Sequence, residues 1–145
     1  MQDSIVREIV VKAPIERVYK AIVDLKEIVK WFPDAVQEGT LEVGQRPIFI
    51  FNNGEQKSQT YIESAHPFDY FAYRWIPGSG GIVGDVLAVP NTLVEFRIEA
   101  TDSGTKITLK ESGFASLPAD VAESCFNENS GAWDFMMSRL EQQVS

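Results

Sequence analysis

Hydrophobic residues recur at two different spacings along this chain, and the switch between them lays out its elements. Ser4 to Lys12 (SIVREIVVK) is dense in β-branched side chains and reads as a first strand. Pro14 follows where proline opens a helix, and Ile15, Val18, Tyr19 and Ile22 give that short helix an apolar stripe. Asp24 can cap a second short helix over Leu25 to Phe32, which Pro33 stops. Strand patterns then take over: Ala35 to Leu41, Arg46 to Phe51, Gln56 to Ala65, Tyr70 to Ile76, Thr92 to Thr101 and Lys106 to Gly113. The alternation is cleanest where Val94, Phe96 and Ile98 interleave with Glu95, Arg97 and Glu99. Asn53-Gly54 signals a tight hairpin. Helical spacing returns only at the end, where apolar residues from Val121 through Trp133 to Val144 predict one helix over Pro118 to Val144.

Strands and helices are therefore segregated, which makes the fold class α+β with an antiparallel sheet. At 27 residues the last helix would run roughly 40 Å, enough to lie diagonally across such a sheet. A strongly twisted sheet gripping a helix tends to leave a hollow between the two. The 145 residues fit a single domain, 1–145, with a sizeable core.

Charge narrows the function. The net value of −8, with no basic patch, opposes binding to nucleic acid and to an anionic membrane surface. No apolar run approaches the roughly 20 residues of a membrane span, and the N-terminus lacks a signal-peptide pattern. A single cysteine, Cys125, excludes an internal disulfide and fits a reducing compartment, so the cytoplasm is the expected location. With one cysteine and one histidine, a His/Cys zinc site is excluded, and the acidic residues show no calcium-loop spacing. No metal and no cofactor is expected.

Several segments together resemble a known superfamily. They are the opening IVREIVVKAPIERVYKAIVDLKEIVKWF, YFAYRW at Tyr70–Trp75, the hairpin at Gly104-Thr105, ESGF at Glu111–Phe114 and Gly131-Ala132-Trp133. In order and spacing they resemble the SRPBCC (START-like, Bet v-like) helix-grip domains. Within that superfamily the chain looks most like the family of the C-terminal domain of the heat-shock protein 90 ATPase activator. The resemblance implies a curved antiparallel sheet of about six or seven strands around the C-terminal helix, with two short helices after the first strand. It also implies a cavity of the kind that holds lipids, sterols or polyketides in relatives, some of which are cyclases or hydrolases. A chaperone partner is implied by the family's name. Glu111 stands where many relatives carry a histidine, and Gly78 to Gly84 does not align.

The 16 aromatic residues cluster on a few strands and the last helix. They form either a filled core or the wall of a pocket for an apolar guest. The pocket reading names Trp31, Phe49, Phe51, Tyr61 and Phe71 as lining residues. It adds Tyr73, Trp75, Phe96, Trp133 and Met137, with Glu111 as polar anchor. Period-two counting puts Glu111 inward beside Ile107 and Leu109, where a carboxylate must be paired or hydrogen-bonded; the alternative is a strand-end residue reaching water. His66, in a turn before Pro67, reads as solvent-exposed, and Cys125 as a core thiol. The stretch Gly78 to Gly84 fails as a phosphate loop, since no Gly-Lys-Ser/Thr and no helix follows. Its apolar continuation to Val89 is a flap over the cavity, a further strand, or a contact with a second copy. Arg74 and Arg97 fall on strand faces opposite the aromatics.

The expected function is binding of a small hydrophobic or aromatic ligand, with Trp133→Ala weakening it without unfolding the protein. The alternatives are a chaperone-regulating interaction module, or an enzyme using Glu111 with a tyrosine. No residue is singled out as catalytic. A homodimer is a further expectation for partners.

Overall fold

The computed structural model describes residues 2–77 and 83–145. Among these, seven strands pair antiparallel in one sheet: β1 (Ser4–Val11), β2 (Ala35–Gln37), β3 (Ile48–Phe51), β4 (Gln56–His66), β5 (Tyr70–Trp75), β6 (Thr92–Thr101) and β7 (Gly104–Ser112). Their order across the sheet is β1-β7-β6-β5-β4-β3-β2. Two short helices, α1 (Ile15–Val23) and α2 (Leu25–Ile28), follow β1, and the long α3 (Ala119–Val144) ends the chain. This is the helix-grip fold.

Period-two alternation decides what faces α3. Phe71, Tyr73 and Trp75 of β5 stand opposite Phe96, Val94 and Thr92 of β6, and Val94 and Phe96 oppose Glu111 and Leu109 of β7. Those eight side chains point to the inner face and are buried. Polar neighbours point outward: Arg74 pairs with Glu63 at 2.6 Å, and Arg97 pairs with Glu95 at 3.2 Å and stacks over Tyr70.

α3 is fastened to β1, the edge strand, and to the two short helices. Arg7 of β1 bonds Asp134 at 2.6 Å and Ser130 Oγ at 2.8 Å, Arg17 of α1 donates to the Gln143 carbonyl, and Arg139 donates to the Lys30 carbonyl. Gly113, at φ +104, makes the turn that sends the chain from β7 back across the sheet, in a conformation that favours glycine.

Three local expectations are corrected. α2 stops at Ile28 and not at Phe32, although Asp24 caps it as expected by accepting from the Lys26 and Glu27 amides. The chain beyond it turns tightly so that the Trp31 indole can donate to the Ala21 carbonyl at 2.8 Å. Asn53-Gly54 belongs to a 3-10 turn over Asn52–Gly54, with both asparagines at left-handed φ, in place of a two-residue hairpin. β2 covers only Ala35–Gln37 of the expected Ala35 to Leu41.

Candidate ligand-binding groove

Glu111 is the one charged side chain among the fully buried residues described, and no cation meets it. Four neutral groups donate to its carboxylate. Oε2 accepts from Trp75 Nε1 at 2.9 Å and from Thr92 Oγ1 at 2.6 Å. Oε1 accepts from Trp133 Nε1 at 2.8 Å, and the Asn129 amide reaches both oxygens at 2.9 and 3.1 Å. A carboxylate offers about four lone-pair sites, and these donors occupy them. Burying the charge without a counter-ion is sustained by these dipoles. The carboxylate thereby pins β5, β6 and β7 to the middle of α3.

The hollow expected directly between sheet and helix is filled. Phe32, brought inward by the turn after α2, lies 5.2 Å from the Trp133 ring, 5.3 Å from Trp31 and 5.6 Å from both Phe49 and Phe51. Tyr73 packs edge-on to Phe49 and Trp75, and Phe96 to Trp31 and Trp133. Space opens beside this cluster, along one side of α3.

Two wells and a neck make up that space. The inner well, about 210 Å³, is lined by Phe32, Phe51, Trp75, Trp133 and Met136, with Asn52, Gln56, Asn129 and Ala132 completing it. A single aromatic ring needs about 150 Å³. The outer well, about 580 Å³, lies between the first turns of α3 (Val121, Ser124, Cys125, Glu128) and the β5–β6 connection (Ile76, Pro77, Val83, Asp85, Val89). That volume falls in the range of roughly 300–1,000 Å³ usual for ligand sites. Between them lies a small neck of about 30 Å³ bordered by Gln56, Ser58, Trp75, Pro77 and Asn129, room for a water molecule; it shares Gln56, Trp75 and Asn129 with the inner well and Pro77 with the outer one. On α3 the wall runs Val121, Cys125, Asn129, Trp133 at four-residue intervals, with Ser124, Glu128, Ala132 and Met136 beside them. Residues three and four apart share a helix face, so the groove follows α3 lengthwise.

Of the residues named from sequence, Phe51, Trp75 and Trp133 line the inner well. Trp31, Phe49, Phe71, Tyr73, Phe96 and Met137 are buried in the packed core behind it. Tyr61 departs from the expected wall. It opposes Arg74 on the outer face and lies beneath Arg46, 5.2 Å from ring centre to guanidinium, because β4 turns Thr60 and Ile62 inward. Glu111 is inward as counted, yet its saturated oxygens make it the organiser of the wall and not a direct anchor. Phe32, Asn52, Gln56, Asn129, Ala132 and Met136 also line the inner well and are not among the wall residues that the sequence names. Asn129 had a signal: it is a polar interruption in the apolar row Cys125, Trp133, Met137.

Other groups behave as their surroundings require. Among the described residues the buried Tyr73 hydroxyl has no hydrogen-bond partner, and burial, then the Glu111 charge, push it well above the usual phenol range. Cys125 is a free, buried thiol, raised by burial and by the charges of Glu128 and Glu111, so it is not a poised nucleophile. His66 is exposed as expected, but as the last residue of β4, paired with Tyr70, and not within the turn that follows. The loop flap expectation falls partly on residues 78–82, which lie outside the described residues; of the remainder, Val86 is buried while Val83, Leu87 and Val89 are exposed.

A family model described as "Activator of Hsp90 ATPase homolog 1-like protein" matches residues 12–144. The chain belongs to this family. Solved structures agree on the fold. Protein MLL2253 from Mesorhizobium loti superposes with a TM-score of 0.78 at 19% identity, over 97% of this chain and 96% of that one. The Aha1 dimer from Colwellia psychrerythraea gives 0.73 at 18% identity, over 99% and 96%. DynU16, a putative protein in the dynemicin biosynthetic locus, gives 0.77 at 18% identity over 98% of this chain, which spans about half of its length (47%). A comparison with curated proteins finds no significant match. Among the described residues, no helix is long and apolar enough to cross a membrane and no cluster of metal-ligating side chains occurs.

Proposed function

We propose that this member of the family is a cytoplasmic, single-domain binding protein for a small hydrophobic or aromatic molecule. The observation that carries the reading is the continuous, mainly apolar wall along α3, from Val121 through Cys125 to Trp133 and Met136. A flat ring fits the inner well against Trp75, Trp133, Phe32 and Phe51, while the outer well takes the remainder of the molecule. Glu111 contributes by fixing both indoles and Asn129, so the wall is set before the guest arrives.

Catalysis is not part of this reading. A general acid or base needs a free lone pair or proton aimed at the substrate, and the oxygens of Glu111 are committed to four donors. Tyr73 holds its proton too tightly to give it up near neutral pH.

Bulky substitutions at exposed helix positions test the proposal without disturbing the core. Ala132→Trp fills the inner well and Ser124→Trp the outer one. Each should abolish or sharply weaken binding of a neutral apolar dye, read by fluorescence titration, with thermal stability nearly unchanged. Undiminished dye affinity in both variants rules the groove out.

Family membership over residues 12–144 favours a second reading, a module that regulates a chaperone. Stimulation of Hsp90 ATPase activity by the purified protein would establish it, and that stimulation should survive Ala132→Trp if the two roles are separate.

A further inference from the structure

The groove's charge has a sign, and the sign selects among apolar guests. Its described lining contains two acidic side chains, Asp85 and Glu128, and no lysine or arginine. Asp85 is already engaged: Arg46 bonds it at 2.9 Å, and its side chain caps the following 3-10 turn at Leu87. Glu128 is different. It is exposed at the lip of the outer well, with no ion-pair partner among the described residues. One residue further on, Asn129 borders both the neck and the inner well. The polar neck, with Gln56, Ser58 and Asn129, thus lies between two apolar chambers, and the open carboxylate stands at its outer side.

Resting on the binding role proposed above, we infer that the groove takes an apolar or aromatic molecule carrying a protonated amine, the ring in a well and the ammonium beside Glu128. An anionic amphiphile such as a fatty acid would meet Glu128 outside and Glu111 behind the wall, with no compensating cation in the lining. The environment of Cys125 supports the same sign, since the charges of Glu128 and Glu111 both act to hold its thiol protonated. Rim exposure sets the scale. A surface charge pair at contact distance corresponds to about a fivefold preference, and one that salt weakens.

The test uses one aromatic body with three head groups: 2-(2-naphthyl)ethylamine, 2-(2-naphthyl)ethanol and 2-naphthylacetate. Affinities are measured by calorimetry or by displacement of a neutral dye from the whole protein at low salt. The amine should bind about fivefold tighter than the alcohol, and the carboxylate should bind more weakly than either. Glu128→Gln should bring the amine-to-alcohol ratio close to one, and Glu123→Gln, on the same helix but outside the lining, should leave the ratio as it was. A carboxylate that binds as well as the amine, or a ratio that survives Glu128→Gln, overturns the inference while the groove stands. If none of the three binds, the groove reading itself fails and takes the charge preference with it.

Discussion

The two halves of α3 bury side chains of different size. In the second half, Trp133, Met137, Leu140 and Val144 are buried, and Arg17 and Arg139 tie the helix to its neighbours. In the first half only Ala122 and Cys125 are buried, both small, while Val121, Ser124 and Glu128 border open space. The same helix is thus a plug at one end and a wall at the other. Side-chain volume goes with the difference: the larger, outer well lies where the buried residues of α3 are small, and the smaller one lies beside the large rings.

The largest effect expected from breaking this contrast is at the plug. Trp133→Ala removes a ring packed on Phe32 and Phe96 and one donor to Glu111, and should cost about 3–5 kcal/mol in urea unfolding. Weakened ligand binding without loss of stability is therefore not the outcome to expect from that change. Glu111→Gln comes next. It places an amide N–H among the donors and leaves at least one of them without an acceptor, costing about 1–3 kcal/mol as a shift of the urea midpoint.

A pH effect should appear at the same tight end. A hydrogen bond from Gln143 first, and Arg17 after it, hold the Glu27 carboxyl below the usual carboxylate range. Because the folded value is the lower one, this contribution is complete above the unfolded-state value of about 4.3 and is lost as pH falls through the folded value. Glu27→Gln should flatten the acid limb of a midpoint-versus-pH curve. The smallest stability change belongs to the open end, where Val121→Ala should stay within about 0.5 kcal/mol while measurably weakening a neutral apolar dye. A cost comparable to that of Trp133→Ala would erase the distinction between plug and wall.

Most of the architecture was legible because it depends on periodicity. β6 spans Thr92–Thr101 as read, and α3 begins one residue later than expected. Parity likewise placed Glu111 inward. What periodicity cannot convey is where volume is left over. Phe32 closes the centre because a turn, not a continued helix, delivers its ring there, and that turn depends on the Trp31 indole finding the Ala21 carbonyl. Tyr61 has the ring that a wall needs, but its parity with the inward Ile62 puts it outside. The groove's polar members, Asn129 and Gln56, lie far apart in sequence and border the same space only once the chain has folded, which no local pattern encodes.

The carboxylate of Glu111 also has an optical consequence. It holds two of the three indoles in this protein, and both of those rings border the inner well. The third, Trp31, is sealed away on a backbone carbonyl. Light emitted by the first pair should thus shift in colour or brightness when a guest displaces solvent from their faces, and the third should supply a constant background. The molecule carries its own occupancy gauge, readable without any attached label.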